Sequence, residues 1–186
     1  MNIDISIEIA KVKFNSPLIL ASGVSGYSKH SFKRAEKNGA GGIVTKSSSL
    51  KPRICYSGPT IVELPYGVLN AMGLPNPSIK KVSEEIYAAK KMGVKIPLIA
   101  SVYGLKLKEY VKAAKIAAEY ADAIELNFSC PSVKEINIEI GQNPRKVKEI
   151  VKAVKNEVEK PIFAKLSPNV SSIVKLGQAA EEGGAD

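Results

Sequence analysis

Residues 123–129 read AIELNFS, a continuous apolar run that turns polar toward its end. Cys130 and Pro131 follow it, and a proline at this point stops a strand. Apolar runs of this length predict strands that are buried on both faces of a sheet. Four more runs of the same form lie at 18–23 (LILASG), 42–46 (GIVTK), 97–101 (PLIAS) and 161–166 (PIFAKL).

Helical patterns alternate with these runs, over residues 29–38, 78–92, 106–120, 144–159 and 170–182. Asn143 supplies an N-cap before Pro144 at the first helical position, and Gly39 and Gly93 lie where helices should end. Alternating strands and helices with short links predict a parallel sheet with right-handed crossovers. Both a β/α barrel and a doubly wound sheet satisfy this α/β pattern.

Two segments depart from the alternation. Residues 3–14 (IDISIEIAKVKF) alternate apolar and polar, which predicts an antiparallel hairpin ahead of the first parallel strand. Residues 48–77 form an insertion rich in Pro, Gly and Ser. Connections of that length in a compact domain are usually functional loops.

The composition is that of an ordinary soluble protein, with 45% hydrophobic and 24% charged residues among 186. No run approaches the ~18 apolar residues of a membrane span, and the start shows no export signal, so we expect a cytoplasmic protein without a membrane partner. Cys55 and Cys130 cannot form a disulfide framework. The single histidine, His30, leaves too few ligands for zinc, so no metal site is predicted.

The net charge of +9 invites a nucleic-acid interpretation. Residues 144–160, however, interleave six basic and three acidic residues with apolar ones at helical spacing, which is typical of the solvated face of an amphipathic helix. Aromatic residues make up only 6% and do not cluster with the basic ones, so we expect no nucleic-acid partner. The alternative predicts salt-sensitive retention on DNA or RNA.

Polar residues lie at the ends of all five apolar runs, and ligands of parallel α/β proteins bind at the carboxyl ends of the strands. Burying a lysine within such a run costs free energy unless its ammonium contacts an anionic or hydrogen-bonding ligand. The alternative is that each lysine side chain extends to solvent. Two lysines at equivalent ends predict a flavin, a carboxylate or a phosphate. The strand-end residues are Ser22, Lys46, Ser47, Ser101, Asn127 and Lys165.

Cys130 follows the fourth run, where a partly exposed thiol near lysines can act as a base or nucleophile; the alternative is inert packing. Cys55, in the insertion, is expected to have no role. Residues 70–77 (NAMGLPNP) predict a rigid turn around Gly73 whose N–H groups face a carboxylate. The alternative there is a simple entry loop for the next helix.

Taken together, LASG (20–23), VTKS (44–47), NAMGLPN (70–76), ELNFSCP (125–131) and AKLSPN (164–169) resemble the dihydroorotate dehydrogenase family, in the family's order. The resemblance implies an FMN-containing β/α (TIM) barrel that oxidises dihydroorotate to orotate in pyrimidine biosynthesis. A related flavin reductase of the dihydropyrimidine dehydrogenase type is an alternative.

The resemblance also implies residue roles. Cys130 matches the base of the soluble classes, and Lys165 would stabilise negative charge on reduced flavin. FMN would contact Ser22, Lys46, Ser47, Asn127 and Lys165, with Ser101 where the NAD-linked class often has asparagine. The substrate would contact Lys46, Asn70, Ala71, Met72, Gly73, Leu74 and Asn127, with Ser132 where the family more often has asparagine. Residues 131–143, with Ile136, Ile138 and Ile140, resemble a lid.

The soluble classes differ in electron acceptor: one is a fumarate-using homodimer, and the other pairs with a subunit carrying FAD and a [2Fe–2S] cluster and passes electrons to NAD⁺. The motifs here resemble the second class more closely, so we expect a homodimeric core with such a partner. The final EEGGAD repeats the phrase that precedes earlier strands. We therefore expect residues 1–186 to be the N-terminal part of one barrel domain, with about five of eight βα units. A non-catalytic, truncated barrel acting in assembly is the alternative.

Overall fold

A two-stranded antiparallel hairpin comes first in the computed structural model, which describes residues 3–23, 25–129 and 140–186. Its strands are β1 (Ile7–Ile9) and β2 (Val12–Phe14). The two residues between them have positive φ angles of 49° and 64°, the conformation of a tight hairpin turn. The hairpin predicted from the alternating pattern is confirmed.

The main sheet has five strands, and every neighbouring pair in it is parallel. Each connection between consecutive strands of this sheet leads to the adjacent position in the sheet, always in the same direction. A doubly wound sheet would instead reverse its order at a switch point. The order therefore selects the barrel of the two predicted architectures. The strands are β3 (Ile19–Leu20), β4 (Gly42–Val44), β7 (Leu98–Val102), β8 (Ala123–Asn127) and β9 (Ile162–Lys165).

Helices cover the outer face of this sheet, and five of them lie entirely within the described residues. Asn143 accepts a hydrogen bond from the Lys146 N–H at 3.2 Å, with Pro144 at the first helical position, as predicted. None of the helices in the described ranges has the length and apolarity that a membrane span requires. The helices are α1 (Lys29–Lys37), α2 (Ile79–Lys91), α3 (Leu107–Ala118), α4 (Pro144–Lys155) and α5 (Ile173–Glu182).

The insertion over residues 48–77 is more ordered than its composition predicts. It contains a second antiparallel hairpin, β5 (Ile61–Leu64) and β6 (Gly67–Asn70), whose residues are all exposed. Its two strands are short and are flanked by prolines and glycines, so the composition of the segment gives no sign of them. The sequence pattern predicts a loop here without this hairpin.

The apolar side chains form two cores on opposite faces of the sheet. The larger core lies between the sheet and the helices and includes Leu98, Ile124 and Val151. The smaller core lies on the concave face, where the N-terminal hairpin contributes Val12 and Phe14. The hairpin therefore covers the amino-terminal end of the barrel interior and leaves the carboxyl end for a site.

Candidate functional site

The concave face of the sheet changes from apolar to polar within two residues along its strands. Val44, Ile99 and Ala123 belong to the small core beneath the hairpin, with Phe163 packed against it. Side chains two residues apart on a strand share a face. Two residues further along these strands the side chains are polar: Lys46, Ser101, Glu125 and Lys165. We call these four residues, together with Ser22, Ser47 and Asn127 at the same ends of the strands, the polar layer.

Three serines connect the first three strands of the sheet. The Ser47 hydroxyl lies 3.0 Å from that of Ser22 and 2.8 Å from that of Ser101, and the Ser47 N–H donates to the Ser22 hydroxyl. The Asn127 amide nitrogen donates to the Ser47 hydroxyl at 2.8 Å. Residues that are 25 to 80 positions apart in the chain thus meet in one network.

Glu125 extends this network to the last strand. Its Oε1 accepts hydrogen bonds from the Ser101 hydroxyl at 2.6 Å and from the Lys165 ammonium at 2.9 Å. The structure therefore brings Ser22, Ser47, Ser101, Asn127 and Lys165 together, as the strand-end rule predicts. Glu125 was missed, although a glutamate inside the apolar run AIELN was a usable signal, because buried carboxylates require partners.

Lys46 is buried, and its ammonium lies 5.9 Å from the centroid of the Tyr27 ring. The Tyr27 hydroxyl donates to the Pro75 carbonyl at 2.8 Å. Burial raises the pKa of that hydroxyl above its usual 10.0, so it keeps its proton. Gly26 lets its backbone lie against that of Lys46, since a Cβ there would lie 2.6 Å from the Lys46 backbone nitrogen.

Residues 70–77, where the sequence predicts a rigid turn, lead from the last residue of β6 toward α2. Gly73 and Leu74 both have positive φ, 77° and 57°. The Arg53 Nε–H donates to the Gly73 carbonyl at 2.7 Å, and Tyr27 contacts Pro75. Asn70 and Ala71 lie exposed at the end of β6, so their side chains face away from the protein core.

The predicted base Cys130, the predicted substrate contact Ser132 and most of the predicted lid, including Ile136 and Ile138, lie outside the described residues. On the strand side of this segment, several hydrogen bonds hold the last described residues. The Ser129 N–H and hydroxyl both donate to the Asn127 side-chain oxygen at 3.0 Å, and Tyr110 donates to the Asn127 carbonyl. On the other flank, Ile140 is buried.

Within residues 3–23, 25–129 and 140–186, no three His, Cys, Asp or Glu side chains cluster as metal ligands would. The chemistry that the polar layer offers is that of hydroxyl and amide groups, one carboxylate and two ammonium groups. Such a set suits a polar organic ligand with carbonyl and anionic oxygens.

Known proteins similar to this chain share both its sequence and its fold. A family model described as dihydroorotate dehydrogenase matches residues 4–186. The protein named dihydroorotate dehydrogenase B (NAD(+)), catalytic subunit, from Pyrococcus abyssi is 50% identical over 182 residues, covering 98% of this chain and 60% of that protein. The protein of the same name from Methanocaldococcus jannaschii is 44% identical, with 96% and 59% covered. The chain spans about 60% of the length of these relatives.

A solved structure confirms the fold. The crystal structure of ligand-free type DHODH from Eimeria tenella superimposes with a TM-score of 0.85 at 17% sequence identity, and the match covers 98% of this chain and 60% of that one. The predicted partial TIM barrel is therefore confirmed, with five parallel strands of the barrel in this chain. Because the family model matches almost every residue, the chain belongs to the dihydroorotate dehydrogenase family.

Proposed function

We propose that the protein carrying this chain oxidises dihydroorotate to orotate in pyrimidine (UMP) biosynthesis, with FMN bound on the concave face of the sheet. The observation that carries the proposal is the polar layer, which crosses the carboxyl ends of all five parallel strands. Membership of the family supports the same reaction.

The polar layer fits a flavin by its chemistry. The ring system presents carbonyl oxygens and ring nitrogens along one edge, and the layer offers hydroxyls, an amide and an ammonium from Ser22, Ser47, Ser101, Asn127 and Lys165. FMN, when bound, supplies the acceptor for the hydride that leaves C6 of dihydroorotate. Lys165 would stabilise negative charge that develops at the flavin edge.

Dihydroorotate carries a carboxylate, and a lysine and the segment around Gly73 would suit it. Lys46 is one of two lysines in the polar layer, and Tyr27 connects it to the turn that contains Met72, Gly73 and Leu74. Backbone N–H groups in such a turn bind anions. We propose that these groups, with Asn70, Ala71, Asn127 and Ser132, orient the substrate.

Cys130 would act as the base. It follows Ser129 directly in the sequence, and Ser129 is tied to Asn127 at the end of β8. The Cys130 thiolate would accept the proton from C5 of dihydroorotate while the hydride leaves C6, so the product gains a carbon–carbon double bond. Asn127, held by Tyr110 and Ser129, would keep the substrate in place for that transfer.

We further propose that NAD⁺ is the final electron acceptor. The curated relatives carry NAD(+) and "catalytic subunit" in their names, which favours a second subunit with FAD and a [2Fe–2S] cluster, bound to a homodimeric core in the cytoplasm. Residues 1–186 would then be the N-terminal part of a single barrel domain. Copurification of a flavin and iron–sulfur subunit with the full-length protein would test this assignment.

The reaction is tested by mixing the full-length, FMN-loaded protein with dihydroorotate and following flavin absorbance. The wild type should be reduced, and Cys130→Ala should slow reduction by at least ~100-fold near neutral pH, the usual contribution of a general base. Cys55→Ala is the matched control, since Cys55 is exposed in the insertion; its rate should match the wild type.

Two outcomes would contradict the proposal. A wild-type protein that binds FMN but is not reduced by dihydroorotate does not carry out this reaction. Turnover of uracil in place of orotate would assign the dihydropyrimidine dehydrogenase type of reaction instead. An unchanged rate in Cys130→Ala would remove Cys130 from the mechanism while leaving the reaction in place.

A further inference from the structure

Glu125 is a buried carboxylate in the polar layer, and the proposed reaction gives it no role. Its side chain is 12% exposed, in the middle of the apolar strand β8. A carboxylate in such a place is strongly unfavourable unless it is paired and hydrogen-bonded. Its surroundings therefore explain why a charge is tolerated there.

Both partners of Glu125 come from neighbouring strands. Ser101 is its direct cross-strand neighbour on β7. Lys165 on β9 is the direct neighbour of Asn127, yet its ammonium reaches back diagonally to Glu125. The Asn127 side chain bonds instead to Ser47 and Ser129. Lys165 is thus held on the Glu125 side of the layer, with 36% of its side chain exposed.

Glu125 also decides the direction of the serine hydroxyls. A hydroxyl has one proton, and Ser101 donates its proton to Glu125. Ser47 must therefore donate to Ser101, and Ser22 must donate to Ser47. The hydroxyls of Ser22, Ser47 and Ser101 thus form a chain of hydrogen bonds that ends at the Glu125 carboxylate, which stabilises the negative charge.

We propose that Glu125 is a positioning residue for Lys165: it holds the ammonium at the flavin-binding face and offsets part of its charge, and so lowers the reduction potential of the bound flavin. This inference rests on the proposed function, because it needs FMN on the concave face. An ammonium whose charge is not offset stabilises electrons added to the flavin more strongly. Removal of the carboxylate charge should therefore raise the potential.

The test is a dye-coupled measurement of the flavin reduction potential in the full-length, FMN-loaded protein. Glu125→Gln keeps an acceptor oxygen for Lys165 but removes the charge. We expect the ratio of reduced to oxidised flavin at a fixed potential to rise at least tenfold, about 30 mV for a two-electron couple. The matched control is Glu157→Gln, which removes another Lys–Glu pair, with Lys115 at 2.6 Å on the outer surface; it should leave the potential unchanged.

Two further variants separate charge from packing. Glu125→Asp keeps the charge and should stay within about threefold of the wild-type ratio, well short of the tenfold effect of glutamine. In a Lys165→Met background there is no ammonium for Glu125 to hold or to offset, so Glu125→Gln should change the ratio less than about threefold. A glutamine variant that leaves the wild-type ratio unchanged, or has equal effects in both backgrounds, overturns the inference; so does an aspartate variant that behaves as glutamine does.

The same experiments distinguish the two proposals. If the wild type holds FMN but dihydroorotate does not reduce it, the proposed function fails, and the potentials of the variants still decide the role of Glu125. If the wild type does not bind FMN, both proposals fail. Reduction by dihydroorotate with no change in potential on Glu125→Gln overturns only the role of Glu125.

Discussion

Tyr27 joins two parts of the candidate site that lie far apart in the sequence. Its ring lies beneath the Lys46 ammonium, and its hydroxyl donates to the Pro75 carbonyl at 2.8 Å. A cation over an aromatic face and a part-buried hydrogen bond are each worth about 1 kcal/mol. Tyr27 therefore stabilises the turn and the lysine in one arrangement.

Tyr27→Phe should lower the free energy of unfolding by about 1 kcal/mol, because the Pro75 carbonyl loses its donor while the ring remains. Chemical denaturation measures the change. Tyr66→Phe is the matched control: Tyr66 is 89% exposed, so the same loss of a hydroxyl should have no measurable effect. Equal stability of the two variants would show that the Tyr27 hydroxyl contributes nothing.

Residue types at strand ends were predictable, but their partners were not. Ser22, Ser47, Asn127 and Lys165 could be identified because each follows or ends an apolar run. Glu125 lies two residues before Asn127, inside the apolar run that predicts the strand. Its significance depends on Ser101 and Lys165, and those contacts exist only after three strands have paired in register.

At the scale of elements, an aspartate that follows a helix is hydrogen-bonded to the backbone of a strand of the main sheet, and this connection occurs twice. The Asp122 carboxylate accepts from the Leu98 N–H at 2.8 Å, and its own N–H donates to the Leu98 carbonyl. Asp186 makes the same two bonds to Ile162, each at 2.9 Å. A lysine from the helix that precedes the neighbouring strand pairs with each aspartate: Lys90 of α2 with Asp122, and Lys155 of α4 with Asp186. The repeated phrase in the sequence thus corresponds to a repeated structural connection.

Glu36, at the end of α1, makes a similar connection to the segment before β7. It accepts from the Lys33 ammonium at 2.6 Å and from the Lys95 N–H at 2.7 Å. Burial alone would raise the pKa of Glu36, but these hydrogen bonds favour the charged form and hold it below its usual 4.5. A carboxylate whose pKa is lower in the folded state stabilises the fold above its unfolded pKa.

The stabilisation from Glu36 should therefore be lost as the pH falls from about 5 through the folded pKa. At pH 7, Glu36→Gln should lower the free energy of unfolding by about 1 kcal/mol, since charge-assisted bonds become neutral ones. Near pH 3 the difference between the wild type and the variant should be smaller than at pH 7, because the Glu36 carboxylate takes up a proton as the pH falls. Denaturation curves at both pH values check this, and a difference that is independent of pH would contradict it.

At the scale of the whole molecule, the main sheet places its apolar residues on two faces, whereas the β5–β6 hairpin is exposed. Leu98 on β7 is completely buried, and Leu69 on β6 is 65% exposed. Leu98→Ala should reduce the free energy of unfolding by about 3 kcal/mol, through lost burial and the cavity that remains. Leu69→Ala should change it by less than about 0.5 kcal/mol.

Denaturant titration of both variants of the full-length protein measures the difference. The substitution is the same in each, so the comparison isolates the environment of the side chain. If Leu69→Ala destabilised the protein as much as Leu98→Ala, the hairpin would have to be packed in the full-length protein.

The sequence by itself determined the alternation of strands and helices, the N-terminal hairpin and the ends of the strands that carry polar residues, because these depend on periodicity and on local turn and cap chemistry. It also carried the motifs of the family. Only the tertiary structure decided the order of the strands in the sheet, the hairpin in the insertion and the partners of Glu125 and Tyr27. Those features depend on which strands pair and in what register, and contacts between residues dozens of positions apart leave no local pattern in the chain.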